Sequence, residues 1–267
     1  LGLQLGVHIC DGFALAGGPW ITPEESMQKV VSAHTSIEGG KPQTLTLEKP
    51  SHYENYYEDI ALVALPQRGE AVLPAPTVRV ETVAANVAEN HRASIDEKGV
   101  IRARAKSRIY YTFAQPIEVR NVEIILSGNN YQAHRLRMSV KNSRGDYDFV
   151  SQLEPARHGW QNTDYQPTHA IPPTTSREFV LEWTPVGSEP GSEDLDAAKW
   201  APNLKIKEVK FGTTPRLHQW EGKAGFVWRV ARETGAEVAD DRCYRHDEVI
   251  DLTASLQGDE LRCTLPA

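Results

Sequence analysis

Methionine is scarce, with 2 in 267 residues, and none opens the chain. The sequence starts instead inside an apolar run, so the expectation is a piece of a longer polypeptide, with more of its own chain missing at both ends. A leader peptide is then not there to be read. Cysteine is scarce too. Cys10, Cys243 and Cys263 make an odd set of 3 without metal-ligand spacing; Cys10 reads as a small core residue, and free thiols are expected at Cys243 and Cys263, with a disulfide between them as the alternative in an oxidising compartment. No apolar run approaches the roughly 18 residues that a membrane helix needs, so no membrane partner is expected. Basic charge is in the minority, with 29 Lys and Arg against 36 Asp and Glu and a net charge of −7. That balance argues against nucleic acid as a partner. The basic spot at Arg102, Arg104, Lys106 and Arg108 reads as one solvated strand face. H-E-x-x-H, C-x-x-C, G-x-S-x-G and the phosphate-loop pattern are all missing. Gly17 and Gly18 follow an apolar run and precede a helix start, but their spacing is not the dinucleotide pattern, so no nucleotide cofactor is expected.

What the chain has is concentrated in residues 1–31. Residues 1–10 are almost free of charge, as suits a strand buried on both faces of a parallel sheet. Thr22, Pro23 and Glu25 then give a capping box with proline at the first helical position, and Glu24 adds negative charge at the helix start. Met27, Val30 and Val31 recur at helical spacing, which predicts a helix reaching Ala33. Strand, loop and helix in this order predict the start of a (β/α) barrel, whose βα loops carry the active site. His8 and Asp11 stand at the end of the strand. Gly17 and Gly18 let the backbone approach a ligand, Trp20 offers a flat apolar face for a sugar, and Glu24 sits at the helix mouth. The alternative is a tight turn with Trp20 in the core, His8 as a core histidine, Asp11 as a turn aspartate and Glu24 as helix-dipole support.

The run Gly17-Gly18-Pro19-Trp20-Ile21-Thr22-Pro23-Glu24, with Met27, Val30 and Val31 behind it, resembles the N-terminal signature of glycoside hydrolase family 106, the α-L-rhamnosidases. The resemblance continues at Tyr57-Glu58-Asp59-Ile60-Ala61-Leu62-Val63-Ala64-Leu65-Pro66, at Trp220-Glu221-Gly222-Lys223-Ala224 and at Val249-Ile250-Asp251-Leu252-Thr253, in order across nearly the whole chain. Residues 12–16 depart from it, being less polar than the family loop. The resemblance implies hydrolysis of terminal α-L-rhamnosidic bonds in a rhamnose-containing oligosaccharide or glycoside. It further implies inversion, calcium assistance, and a periplasmic or extracellular parent protein. It places the two catalytic glutamates beyond residue 267, so this piece alone is expected to be inactive.

The rest of the sequence is β-patterned. Residues 41–49 alternate, and Ser51 to Glu58 is rich in tyrosine, with His52 beside it; these rings line a sugar cleft or cover a strand edge. Residues 59–65 read as a second barrel strand ended by Pro66. From 77 to 214 short alternating segments follow one another, at 78–80, 108–113, 117–126, 135–140, 147–153, 178–183 and 204–211. They predict a β-sandwich or jelly roll. Gln115-Pro116 reads as a stop between two of them, and 194–200 as one short helix. His158, Trp160 and Tyr165 form a polar aromatic loop. The expected organisation is α/β plus all-β: residues 1–68 as the barrel's N-terminal part, 69–76 as a linker, 77–214 as the inserted sandwich, and 215–267 as a return toward the barrel, with a helix over 220–232. The competing functional class is a non-catalytic carbohydrate-binding protein built on the sandwich.

Overall fold

A computed structural model describes residues 18–26, 28–52, 54, 56–69, 71–127, 135–154, 166–185, 203–226 and 242–266. The strands are β1 (Pro42–Thr46), β2 (Val63–Ala64), β3 (Thr77–Thr82), β4 (Ser94–Ile95), β5 (Ile101–Ala103), β6 (Ser107–Leu126), β7 (Leu136–Lys141), β8 (Tyr147–Leu153), β9 (Thr168–Trp183), β10 (Leu204–Gly212), β11 (Ile250–Asp251), β12 (Leu256–Gln257) and β13 (Glu260–Thr264). One four-residue helix, α1, covers Trp220–Lys223. The described residues fall into two compact units, one within Leu1–Pro66 and Asp247–Ala267 and one within Gln67–His246.

The second unit is an antiparallel sheet in the order β4-β5-β10-β6-β9-β7-β8, with β3 also paired to β6. Strand β6 runs for 20 residues and belongs to both halves of it. Its first half lies between β3 and the end of β9, and its second half between β10 and the start of β9. The buried set changes parity along it, from Ile109, Tyr111 and Phe113 to Val122 and Ile124. Val119 is still in the first set, so the change falls at the second of two register shifts, 112–117 and 119–121, where an irregularity turns the later side chains to the other face. Pro116, Pro172 and Pro173 sit at these two irregularities, where a missing N–H removes no ladder bond. Residues 108–113 and 117–126 are therefore one strand, and the expected stop at Pro116 is a bend inside it.

The sheet closes around one core. Ile109, Phe113, Val122, Leu136, Met138, Phe179, Leu181, Leu204 and Ile206 come from four strands and are all essentially inaccessible. Each such side chain contributes about 1.5–3 kcal/mol by leaving water. Phe113, Phe179 and Phe211 meet ring to ring at 5.3–6.0 Å. This is the β-sandwich that the alternating segments predict.

The first unit is less regular. β1, β13 and β12 form a small antiparallel sheet, and β2 pairs with β11. The opening strand at residues 1–10 lies outside the described residues. The helix expected from Thr22 to Ala33 is not formed; a single 3-10 turn, Pro23–Glu25, stands in its place. Side chains take the carbonyls that a helix would use: Ser26 Oγ donates to Pro23 O (2.7 Å), and Gln28 Nε2 to Pro23 O (3.0 Å) and Ser26 O (2.9 Å). Such local bonds compete with a helix, and Val30 finds no cover at 53% exposure. A short helix without packing is marginal in water. The expected strand at 59–65 shrinks to Val63–Ala64, and its partner runs antiparallel. No strand–helix repeat of a barrel is seen among the described residues.

Candidate functional site

The glycine-rich elbow is seen from Gly18 onward. Ile21 N–H donates to Gly18 O (2.9 Å), closing a four-residue turn. The Trp20 ring folds back over Gly18 so closely that a Cβ there would lie 2.4 Å from it. A side chain there would push the exposed ring aside. Trp20 itself is 74% exposed, so it is not a core side chain. Thr22 N–H donates to Glu25 Oε2 (3.3 Å), the reach-back half of a capping box. Glu24 is solvent-facing, and hydrogen bonding to Thr22, then to its own backbone, holds its carboxyl below the usual value. Gly18 and Trp20 thus share one turn, and Glu24 sits in the 3-10 turn that follows it. His8, Asp11 and Gly17 lie outside the described residues, as do Cys10, His158, Trp160 and Tyr165.

Two of the quoted motifs meet in the first unit. β2 belongs to the 57–66 motif and β11 to the 249–253 motif, and they pair as Val63 with Asp251 and Ala64 with Ile250. Leu252 N–H donates to Leu62 O (2.8 Å), and Leu62 N–H donates to Thr253 Oγ1 (3.0 Å). Asp251 Oδ1 takes Thr253 N–H (2.9 Å), and hydrogen bonding from the Thr253 side chain, then from this N–H, holds its carboxyl low. Beside this seam Tyr57 donates to Asp59 Oδ1 (2.7 Å), and that bond, with burial and the carboxylate charge, pushes the phenol up to about 12. His52 and Lys49 approach the same ring at 5.9 Å each, and Lys49 pairs with Asp259 at 3.1 Å. Cys243 and Cys263 are free thiols.

The third motif buries a carboxyl group. Glu221, on α1, takes the Thr168 hydroxyl on one oxygen and the Thr168 N–H (3.2 Å) on the other. Burial raises its proton affinity, against the pull of those bonds. His169 is fully buried beside it, with its Nδ1 unpartnered among the described residues. Its ring lies 5.7 Å from that of His218, whose Nδ1 accepts from Ala170 N–H (3.2 Å). Gln219 completes the lock, with its N–H on Thr168 O (2.7 Å) and its amide on Glu154 O. Glu221 is shut from solvent and anchors α1 to β9; it is not placed to protonate a substrate. The sequence signal was the motif itself, because nothing in a four-residue helix announces which of its side chains is buried.

A family profile described as alpha-L-rhamnosidase, that of glycoside hydrolase family 106, matches residues 1–267. The chain belongs to this family. A rhamnosidase from Novosphingobium sp. PP1Y shares the fold of the family member described here, with a TM-score of 0.53 and 18% identity over 94% of this chain and 24% of its own. A protein of Formosa agariphila that bears a provisional beta-glucuronidase name is 37% identical over 81 residues, 30% of this chain and 6% of its own length. The chain therefore spans about a quarter of the rhamnosidase and a far smaller part of the curated relative. No group of three or more His, Cys, Asp or Glu side chains among the described residues is arranged to hold a metal.

Proposed function

We propose that this chain is part of a glycoside hydrolase that cleaves terminal α-L-rhamnosidic bonds, and that it supplies one wall of the substrate cleft. The whole-chain family match carries this reading, and the solvent-facing Trp20 ring supports the wall. An aromatic face stacks on the C–H face of a sugar while leaving its hydroxyls free. The wall comprises His8, Asp11, Gly17, Gly18, Trp20 and Glu24. Hydrolysis with inversion needs one carboxylic acid to protonate the leaving oxygen and one carboxylate to activate water, about 6.5–9.5 Å apart. That pair is assigned to the parent enzyme outside residues 1–267. Calcium assistance is part of the same proposal, with no described side chain assigned to the ion. The substrate is a rhamnose-containing oligosaccharide or glycoside met outside the cytoplasm.

Purified residues 1–267 are expected to leave an aryl α-L-rhamnoside intact. In the full-length parent, Trp20→Ala is expected to lower kcat/KM about tenfold or more, the scale of one lost stacking contact with its burial. Turnover by the short chain would place the acids within it after all. An unchanged kcat/KM in the Trp20 variant would remove the elbow from the cleft.

A further inference from the structure

The outward face of the β7–β8 end of the sandwich carries a group of side chains that the rhamnosidase reading does not use. β8 ends the sheet order. Its register places Tyr147 opposite Lys141, Phe149 opposite Ser139 and Gln152 opposite Arg137. A shift between Met138 and Ser139 turns Tyr147 and Phe149 to the side away from the buried Leu136 and Met138. Both rings are open to solvent, Phe149 at 52% and Tyr147 at 41%. The Arg137 guanidinium lies over the Phe149 ring at 4.4 Å. Arg137 has no carboxylate partner among the described residues, although Glu182 stands directly across from it on β9. Glu182 is occupied by Lys106 (3.0 Å) and Arg108 (2.8 Å).

The remaining members of the face are joined by hydrogen bonds and ring contacts. Tyr147 donates to Glu178 Oε1 (2.7 Å), and Lys141 approaches the same carboxylate at 3.6 Å. Tyr147 meets Tyr110 edge-on at 6.3 Å, and Arg79 stacks on Tyr110 at 3.7 Å. The interlocked charges here are Arg79, Lys106, Arg108, Arg137 and Lys141 against Glu81, Glu178 and Glu182. The local balance is positive on a chain whose net charge is −7.

We infer that this face binds a uronic-acid-bearing oligosaccharide, with its carboxylate on the open edge of the Arg137 guanidinium and its sugar ring against Phe149 or Tyr147. A guanidinium held over a ring keeps N–H groups free at its edge, and that planar fork matches a carboxylate bidentately. Two rings at i and i+2 of one strand stand about 7 Å apart, a platform for neighbouring sugar units. The charge selects an acidic sugar over a neutral one. The choice of a glycan over another anion rests on the proposed role in a carbohydrate-active enzyme.

Calorimetric titration of residues 1–267 with tetragalacturonate, its methyl ester and a neutral rhamnoside tests this. Tetragalacturonate is expected to bind, more weakly as salt rises, and the methyl ester to bind about tenfold or more weaker. Arg137→Gln and Phe149→Ala are expected to lose tenfold or more, and Arg137→Lys to recover only part of the loss, because it keeps the charge without the fork. Melting curves check that each variant is folded. Equal binding by wild type and Arg137→Gln overturns the proposal, as does equal binding of the ester. Equal binding of polyglutamate overturns the assignment to a glycan. Absence of uronate binding sinks this site alone and leaves the rhamnoside reading standing, since that reading is tested by turnover in the parent enzyme.

Discussion

His169 shows how much a single buried ring asks of its surroundings. Burial, and then the charge of the neighbouring His218, pushes its pKa down to about 3 from an ordinary 6.5. A base whose folded value is depressed stays neutral in the native state while the unfolded chain takes up a proton. Its contribution to stability is complete above 6.5 and is lost as pH falls toward 3, by up to about 1.4 kcal/mol per pH unit. Glu221 works in the opposite sense. Its folded value is raised, first by burial, so its contribution is present below 4.5 and is lost as pH rises through that raised value. Glu123 adds to the upward push on Glu221, His218 faces His169, and Lys223 in turn acts on His218. Melting of residues 1–267 is therefore expected to move to lower temperature as the buffer goes from pH 7 to pH 4. His169→Phe is expected to flatten that slope, and the same slope in the variant would clear the histidine of any part in it.

At the scale of elements, the seam between β2 and β11 is short, so individual bonds matter. Two ladder residues on each side give little cooperative support, and Thr253 Oγ1 supplies the acceptor for Leu62 N–H. Thr253→Val keeps the shape and removes the acceptor. It is expected to cost about 1 kcal/mol and to speed hydrogen exchange at the Leu62 amide about fivefold, with β6 and β9 unchanged. Equal exchange at Leu62 in both proteins would show that water replaces the hydroxyl. The sandwich strands were legible in the sequence because one face of each is buried and the other is not, as at Leu136, Met138 and Leu181. The continuity of β6 and β9 was not, because Pro116, Pro172 and Pro173 look like ends when their neighbours in the sheet are unknown. The failed helix after Thr22 has the reverse cause. Its start signals were real, but the bonds that undo it come from Ser26 and Gln28, two residues that carry no strong signal of their own.

Across the whole molecule, the core cluster and the partly buried residues packed on it all lie between Val78 and Phe211, inside the unit Gln67–His246. That unit has its own apolar interior and is expected to fold when expressed alone, with a β-type circular dichroism spectrum and one cooperative melt. Insoluble or unstructured material would show that it depends on the other unit. The turn at the elbow was legible, since glycine and proline mark turns in a sequence, but the exposure of Trp20 was not, because a lone ring suits a core as well as a surface. The pairing of Arg137 with Phe149 was not, because it exists only through the register shift in β7 and β8.

The double membership of β6 also governs how the protein is made. Its second half waits for β10, whose first residue is Leu204, 78 positions after Leu126. At about 5–20 residues per second, a ribosome needs roughly 4–16 s to deliver it. For that interval the longest of the described strands offers a bare edge to the cell, and whatever shields nascent chains there has to do so before the sheet can close.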